Sequence, residues 1–330
     1  MQEENFLNII RETLPESVKY LRDDTAYLSE KDLILTQDTL IEDIHFRTRT
    51  ISPFYLGRKS IAVNLSDIAA AGGIAQYLLI SLSMPKKIAP GFVKEFYKGV
   101  KSICNEHKVL VVGGDLTGAE KITISICALG SANGLTPANR RNAKPGEAVI
   151  VTGNFASSAA GFYLLEELYK ETGEAEKVPE KTRKKLISSH IDPMPRLKEG
   201  RKILEAAKNL AMMDTSDGLA DALYKICAMS KVGMKIDFAE VPYDPDIEQV
   251  FKDEKSVMHN MLFGGEDYEL VATVSEEVYK ELKKEISIKK IGMVIDGDDN
   301  SFAYVKFRDK ESFKIDSTAL DSGLYSHFEG

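Results

Sequence analysis

The stretch Ser60-Ile-Ala-Val-Asn-Leu-Ser-Asp-Ile-Ala-Ala-Ala-Gly-Gly73 decides how this chain is read. It opens the most apolar segment, residues 61–84, and places a carboxylate, Asp67, inside it. As a membrane span, the segment would put Asp67 into lipid at roughly 2.5–3.5 kcal/mol, together with Asn64, Ser66 and Gln76. The pattern predicts instead a buried helix from Pro53 to Ala71, a Gly72-Gly73 stop, and a buried strand over 75–84. A charge left unpaired in a buried helix is expensive. Asp67 is therefore better explained by function than by packing.

The rest of the chain is read outward from there. Residues 6–14 have helical spacing and end at Pro15; residues 31–37 form a strand that enters an acidic loop, 38–43. An amphipathic helix is expected over 91–107. A four-residue buried strand, 109–112, runs into Gly113-Gly114-Asp115, and 121–130 alternates through Ile122, Ile124 and Ile126. Residues 133–147 carry Gly134, Pro137, Pro145 and Gly146 and read as a loop. They set the expected boundary between an N-terminal domain, 1–135, and a C-terminal domain, 136–330. Beyond it come a strand at 148–152, helices at 158–172, 181–190 and 195–209, and a short strand at 211–213 that ends at Asp214. A helix at 218–230 and strands at 233–238, 268–274 and 288–295 follow. Strands and helices alternate without a strict repeat, which predicts an α+β class with mixed sheets.

Composition narrows the function. The 330 residues hold 43 Lys and Arg against 51 Asp and Glu, a net charge of −8, and 43% are hydrophobic. This is ordinary globular material that can bury a large core. A net acidic chain is a poor partner for nucleic acid or an anionic membrane. Cys104, Cys127 and Cys227 lie far apart without a C-x-x-C, so neither a zinc knuckle nor a disulfide framework is supported. A reducing, cytoplasmic setting is expected, since Met1-Gln2-Glu3-Glu4-Asn5 lacks the features of a signal peptide. The phosphate-binding and nucleophile motifs G-x-x-x-x-G-K-[ST], G-x-G-x-x-G after a strand, G-x-S-x-G and H-E-x-x-H are all missing from the sequence.

What remains is a set of carboxylates at the ends of apolar segments: Asp23-Asp24, Asp38 with Glu42 and Asp43, Asp67, Asp115, Asp214 with Asp217, and Glu266-Asp267. Several lie beside glycine, which lets a phosphate approach the backbone closely. Converging carboxylates repel unless cations compensate, and hard oxygen donors favour Mg2+ with substrate phosphates. Taken singly, Asp-Gly and Gly-Gly-Asp are common turns. Asp214 or Ser216 is equally read as a cap for the helix after Gly218. The acidic run 296–301 reads as a solvated turn and has no assigned role.

Together, Ser60–Gly73, Val111-Val-Gly-Gly-Asp115, Met213-Asp-Thr-Ser-Asp-Gly-Leu219 and Phe263-Gly-Gly-Glu-Asp-Tyr-Glu-Leu270, with Ile41-Glu-Asp-Ile-His-Phe46, resemble the thiamine-monophosphate kinase family. That family lies within the AIR-synthase-related, PurM-like superfamily. The resemblance runs from Asp23 to the C-terminus. It implies a two-domain PurM-like fold, a homodimer formed through the N-terminal domains, and transfer of phosphate from ATP to thiamine monophosphate with several Mg2+ ions. It implies Mg2+ ligands at Asp24, Asp38, Asp67, Asp115, Asp214 and Asp217, with Thr36 and Gln37 at a further ligand position. Asp38, Asp67 and Asp115 would act most directly in catalysis. ATP contacts would be Tyr97, Gly114, Asp115, Arg141 and Ser216, and substrate contacts His45, Glu266 and Tyr325. From the residues alone, His45 without its neighbouring acidic motif is better read as a strand histidine, Tyr97 is equally core, and either Arg140 or Arg141 points inward.

The chain departs from the family pattern at Arg22, where Gly is usual, at Gln37 in place of Thr, and at Ala156-Ser157 in place of Gly-Asp. Its first cysteine is Cys104 and its end is Ser326-His-Phe-Glu-Gly330, which argue against the superfamily members that need a reactive N-terminal or C-terminal cysteine. The alternative is an altered paralogue that binds nucleotide with another acceptor or none. For the kinase, the acceptor is a phosphate oxygen already largely ionised at pH 7, because a monoester's second pKa is about 6. No general base is required, and direct transfer without a phosphoenzyme is expected.

Overall fold

The computed structural model describes residues 2–21, 23–297, 302–306 and 313–323. Arg22, Tyr325 and most of the acidic turn 296–301 lie outside them. A first helix, α1 (Gln2–Thr13), precedes a sheet made of β1 (Ala26–Leu28), β2 (Leu33–Ile41), β3 (Ile74–Met84), β4 (Leu110–Gly118) and β5 (Thr123–Ser131), in the order β1-β2-β5-β3-β4. Only β3 and β4 run parallel. Two helices, α2 (Pro53–Ala70) and α3 (Pro90–His107), belong to the same core.

Strand alternation builds that core. Ile34 and Leu40, Leu78, Ile80 and Leu82, and Ile124 and Ile126 are buried with Leu56, Ile61, Leu65 and Ile68 of α2 and Phe96, Val100 and Ile103 of α3. The two helices touch backbone to backbone. A Cβ at Gly57 would sit 2.1 Å from the Phe96 carbonyl, and one at Gly99 would sit 1.9 Å from that of Phe54. Serine and proline start α2 as expected: Ser52 accepts from the Tyr55 amide, and Pro53 fills the first turn.

The second sheet contains β6 (Ala148–Thr152), β7 (Met212–Asp214), β8 (Val232–Asp237), β9 (Leu270–Val274), β10 (Ile288–Asp296), β11 (Ala303–Lys306) and β12 (Phe313–Ile315), in the order β12-β11-β8-β10-β6-β9-β7. Its helices are α4 (Ser157–Lys170), α5 (Glu180–Ile191), α6 (Leu197–Ala207), α7 (Leu219–Ser230), α8 (Glu254–Phe263), α9 (Glu276–Leu282) and α10 (Ser317–Gly323). β6 and β9 are buried at every residue, as expected for strands covered on both faces. One cluster joins β6 to α4 and α7 through Val149, Val151, Leu164 and Leu223. Another uses Ile150, Leu270 and Ala272 and reaches Ile203 and Leu204 of α6 and Ala69 and Ala70 of α2. The end of α2 is thus shared between the two sheets, which places Asp67 at their junction.

Two expectations change. β2 does not give way to a loop at residue 38. Its pairing with β5 continues to Ile41↔Thr123, so Asp38 is a strand residue opposite Ile126. The 109–112 strand is neither short nor buried. β4 extends to Gly118, and every residue in it is exposed; it is an edge strand, paired among the described residues with β3 alone. Helices α8 and α9 and the β11–β12 pair were not anticipated. Among the described residues, no helix is long and apolar enough to cross a membrane.

Candidate active site

Carboxylate oxygens of Asp24, Asp67 and Asp214 lie within 4.8 Å of one another. Three backbone elements bring them together: the segment before β1, the last turns of α2, and the end of β7. Asp38 joins them from β2, where alternation turns Thr36, Asp38 and Leu40 toward α2. The buried Asn64 of α2 accepts a bond from the Asp38 amide (3.1 Å) and donates to the Ser60 carbonyl (3.0 Å), which ties strand to helix. The Thr36 hydroxyl donates to Asp67 (2.5 Å), and the Ser66 hydroxyl donates to Asp214 (2.6 Å). Arg140 pairs with Asp24.

This is too little positive charge for so many carboxylates. Burial, reinforced by Asp217 and Asp24, pushes Asp38 up to about 6. Burial and the charge of Asp24 push Asp214 up to about 8. Burial and the charges of Asp38 and Asp214 raise Asp67 well above the usual carboxylate range. Oxygen donors converging under mutual repulsion are the donor set that a hard divalent cation relieves.

Asp38, Asp67 and Asp214 of the cluster line one end of a cavity of about 590 Å3. The other end is lined by His45, Arg47, Ser158, Phe162, His190 and Glu266. His45 Nδ1 accepts from the Ile41 amide (3.0 Å), so its ring is fixed by the turn after β2. Glu266 and Tyr268 have φ of 64° and 52°, sparsely populated values for residues other than glycine that concentrate at functional sites. The Glu266 amide donates to the Ser216 carbonyl (2.7 Å), so the loops 264–268 and 214–218 support each other. Asp267 turns away from the cavity and accepts from the amides of Ala156 (2.7 Å) and Ser158 (3.0 Å) at the start of α4.

The structure therefore brings Asp24, Thr36, Asp38, Asp67 and Asp214 together, with Asp217, Ser216, His45 and Glu266 on the cavity wall. Neither Asp214 nor Ser216 caps α7, whose N-cap, Gly218, has no side-chain cap. Gln37 is not brought in, because it follows Thr36 on an alternating strand and is exposed on the opposite face. Asp115 and Gly114 are not brought in either. Asp115 pairs with Ser81, Ser81 with Ser125, and Ser125 with Thr39, whose hydroxyl bonds to that of Ser125 (2.7 Å). Asp115 thus lies three strands from β2, about 14 Å at ordinary strand spacing, and on the face opposite Asp38. Gly114 is required by packing, since a Cβ there would meet the Ile80 carbonyl at 1.9 Å. Tyr97 packs against the N-terminal core and edge-on to Phe96. Of the two arginines, Arg140 points inward, and Arg141 pairs with Asp23 nearer the surface. Tyr325 lies outside the described residues.

Sequence reasoning missed Lys59, Ser158, Phe162 and His190. Lys59 carried a usable signal. It directly precedes the quoted stretch, and a lysine in an apolar helix raises the same question as Asp67.

Known proteins resemble this chain in sequence and fold. The family descriptions AIR synthase related protein, N-terminal domain, and AIR synthase related protein, C-terminal domain, match residues 22–132 and 144–305. A thiamine-monophosphate kinase of Bacillus subtilis (strain 168) is 34% identical over 319 residues, covering 93% of this chain and 92% of its own length. One from Aquifex aeolicus (strain VF5) is 35% identical over 296 residues, covering 88% and 91%. The solved structure of AaThiL complexed with AMPPCP and TMP superposes with a TM-score of 0.81 at 33% identity, over 94% of this chain and 96% of that one. The chain belongs to the AIR synthase related family and, within it, to the thiamine-monophosphate kinases.

Proposed function

We propose that this chain transfers the γ-phosphoryl group of ATP to the phosphate of thiamine monophosphate, giving ADP and thiamine diphosphate. The observation that carries the reading is the convergence of Asp24, Asp38, Asp67 and Asp214, the last three of which line one cavity. The similarity to a structure holding AMPPCP and TMP supports it. An oxygen of the acceptor phosphate forms the new bond to the γ-phosphorus as the bond to the β-phosphate oxygen breaks. The acceptor is already ionised, so no side chain must remove a proton.

The obstacle is repulsion between two anions. Asp24, Asp38, Asp67 and Asp214 would hold Mg2+, which when bound supplies the charge that screens the phosphates and stabilises the transition state. Thr36 and Ser66 hold two of those carboxylates in position. His45, Phe162 and Glu266 form the opposite wall, which suits the organic part of the acceptor. Incubation with ATP, Mg2+ and thiamine monophosphate is expected to give ADP and thiamine diphosphate in equal amounts. ADP without thiamine diphosphate, or no turnover at all, would overturn the reading.

The working unit we propose is a homodimer formed through the N-terminal sheet. Leu110, Val112 and Leu116 are each more than half exposed on the edge strand β4, and such an edge is a template for pairing with a second chain. Asp115 and Gly114 lie on the same edge, so their expected roles depend on a second copy bringing β4 to a nucleotide. Sedimentation of wild type and Leu116→Lys tests this; two monomeric proteins of equal activity would remove both the dimer and the role of Asp115.

A further inference from the structure

We propose that Lys59 is a positioning residue for the thiamine end of the cavity, acting through Glu266. The inference rests on the kinase reading above and concerns which residue sets acceptor binding. Lys59 is 1% exposed, in a helix whose following residues, Ser60 to Val63, are apolar or small; its charged neighbour Arg58 pairs elsewhere, with Glu106 and Asp192. Lysine is almost never buried to this degree unless paired. Its ammonium lies 3.0 Å from Glu266 Oε1 and 3.5 Å from His190 Nε2. The other Glu266 oxygen, Oε2, lies 3.4 Å from His190 Nδ1, which also meets the Ser158 hydroxyl at 3.0 Å.

Four elements therefore converge on one carboxylate: α2 through Lys59, α5 through His190, α4 through Ser158, and the 264–268 loop that carries Glu266. Burial, with Lys59 beside it, pushes His190 down to about 3, so the ring is neutral and Lys59 supplies the fixed positive charge. Burial alone would raise Glu266. The Lys59 ammonium is the largest influence opposing it, and Glu266 is held below the usual carboxylate range.

The geometry has a chemical consequence. Glu266 lines the cavity with its side chain still about one-third exposed. Lys59 grips one oxygen from the protein side and keeps the group ionised. Glu266 then offers a fixed, acceptor-only carboxylate to a ligand that carries an amino donor or a delocalised cation, and the proposed acceptor has both. A buried lysine that only stabilised the fold would not need its partner on a cavity wall, in a loop with two residues at positive φ.

The experiment is steady-state kinetics on Lys59→Met, Glu266→Gln and the double variant, with both substrates varied. Lys59→Met is expected to raise KM for thiamine monophosphate by about tenfold or more, the effect of losing one charge-assisted hydrogen bond. KM for ATP should change much less. The double variant should be no worse than Glu266→Gln alone, because Lys59 acts only through that carboxylate. It also removes both charges, so it folds even where the single Lys59→Met leaves the Glu266 charge without its ammonium partner. Equal effects on both KM values, or independent effects that multiply in the double variant, would overturn the role of Lys59. A wild type that neither binds nor turns over thiamine monophosphate would overturn the kinase reading, and this proposal with it.

Discussion

Asp214 and Glu269 are neighbours with opposite circumstances. Asp214 pairs across the sheet with Leu270, the residue after Glu269, and the two are 2% and 4% exposed. Glu269 is saturated by protein: the Thr152 hydroxyl (2.6 Å) and the Arg196 guanidinium both donate to it. Asp214 has one hydroxyl, from Ser66, and faces Asp24, Asp67 and Asp38. Equal burial with unequal satisfaction separates a carboxylate that holds the fold from one whose charge the protein leaves unbalanced.

Substitution at the two positions should split activity from stability. Asp214→Asn is expected to lower kcat by about a thousandfold, the scale of losing a group that positions transition-state charge. Its melting temperature without Mg2+ should stay equal or rise, because one repelling charge is gone. An Asp214→Asn enzyme with near-normal kcat would end the comparison. Asp38→Asn should behave the same way, with the fold intact. Glu269→Gln should do the reverse and destabilise by about 3 kcal/mol in urea titration by stranding Arg196, while kcat per folded molecule holds within a few-fold.

This contrast also marks what the sequence could reveal. The apolar run, the Gly-Gly stop and the buried carboxylate make α2 and Asp67 legible, because a charge in an apolar helix is locally conspicuous. Strand ends in loops rich in Gly and Asp do the same for Asp214 and Asp217. Exposure along β4 was not legible: Leu110-Val-Val112 reads as core, and only the strand order shows that no strand of the described residues pairs beyond it. The distance of Asp115 from the cluster was not legible for the same reason, since strand spacing and facing belong to the sheet and not to the motif. Arg140 and Arg141 differ only in which of two adjacent acids each meets, which no local pattern encodes. Lys59, His190 and Ser158 come from three helices, and only their packing makes them one group.

The second way to sharpen the comparison is pH. Asp38 and Asp214 have folded pKa values raised to about 6 and about 8, above the model-peptide value near 4. Folding therefore takes up protons at these sites. Their contribution to stability is complete below about pH 4 and is lost as pH rises through 6 to 8. Metal-free protein should then lose melting temperature across that window, beyond what Asp38→Asn/Asp214→Asn loses. Mg2+ binds the ionised form, so the melting-temperature gain it gives should be larger at pH 8 than at pH 5.5. A gain independent of pH would mean that these carboxylates do not hold the ion.

The smallest expected effect lies at Ala156, where the family pattern has glycine. Ala156 has φ 67° and begins α4, and its amide donates to Asp267. The left-handed backbone strains an alanine by roughly 1–2 kcal/mol. Glycine would relieve that strain, but it adds chain entropy to the unfolded state worth about 0.5–1 kcal/mol. It would also remove a fully buried methyl, Ala156 being 0% exposed within the C-terminal core, worth about 0.8 kcal/mol. These opposing contributions nearly cancel, which explains how alanine is tolerated at a position that geometry assigns to glycine. Ala156→Gly should therefore shift stability by less than about 1 kcal/mol in either direction in urea titration. A gain well above that would show that the methyl is not packed. A large loss would show that the turn tolerates its alanine without strain, and that Asp267 alone holds the start of α4.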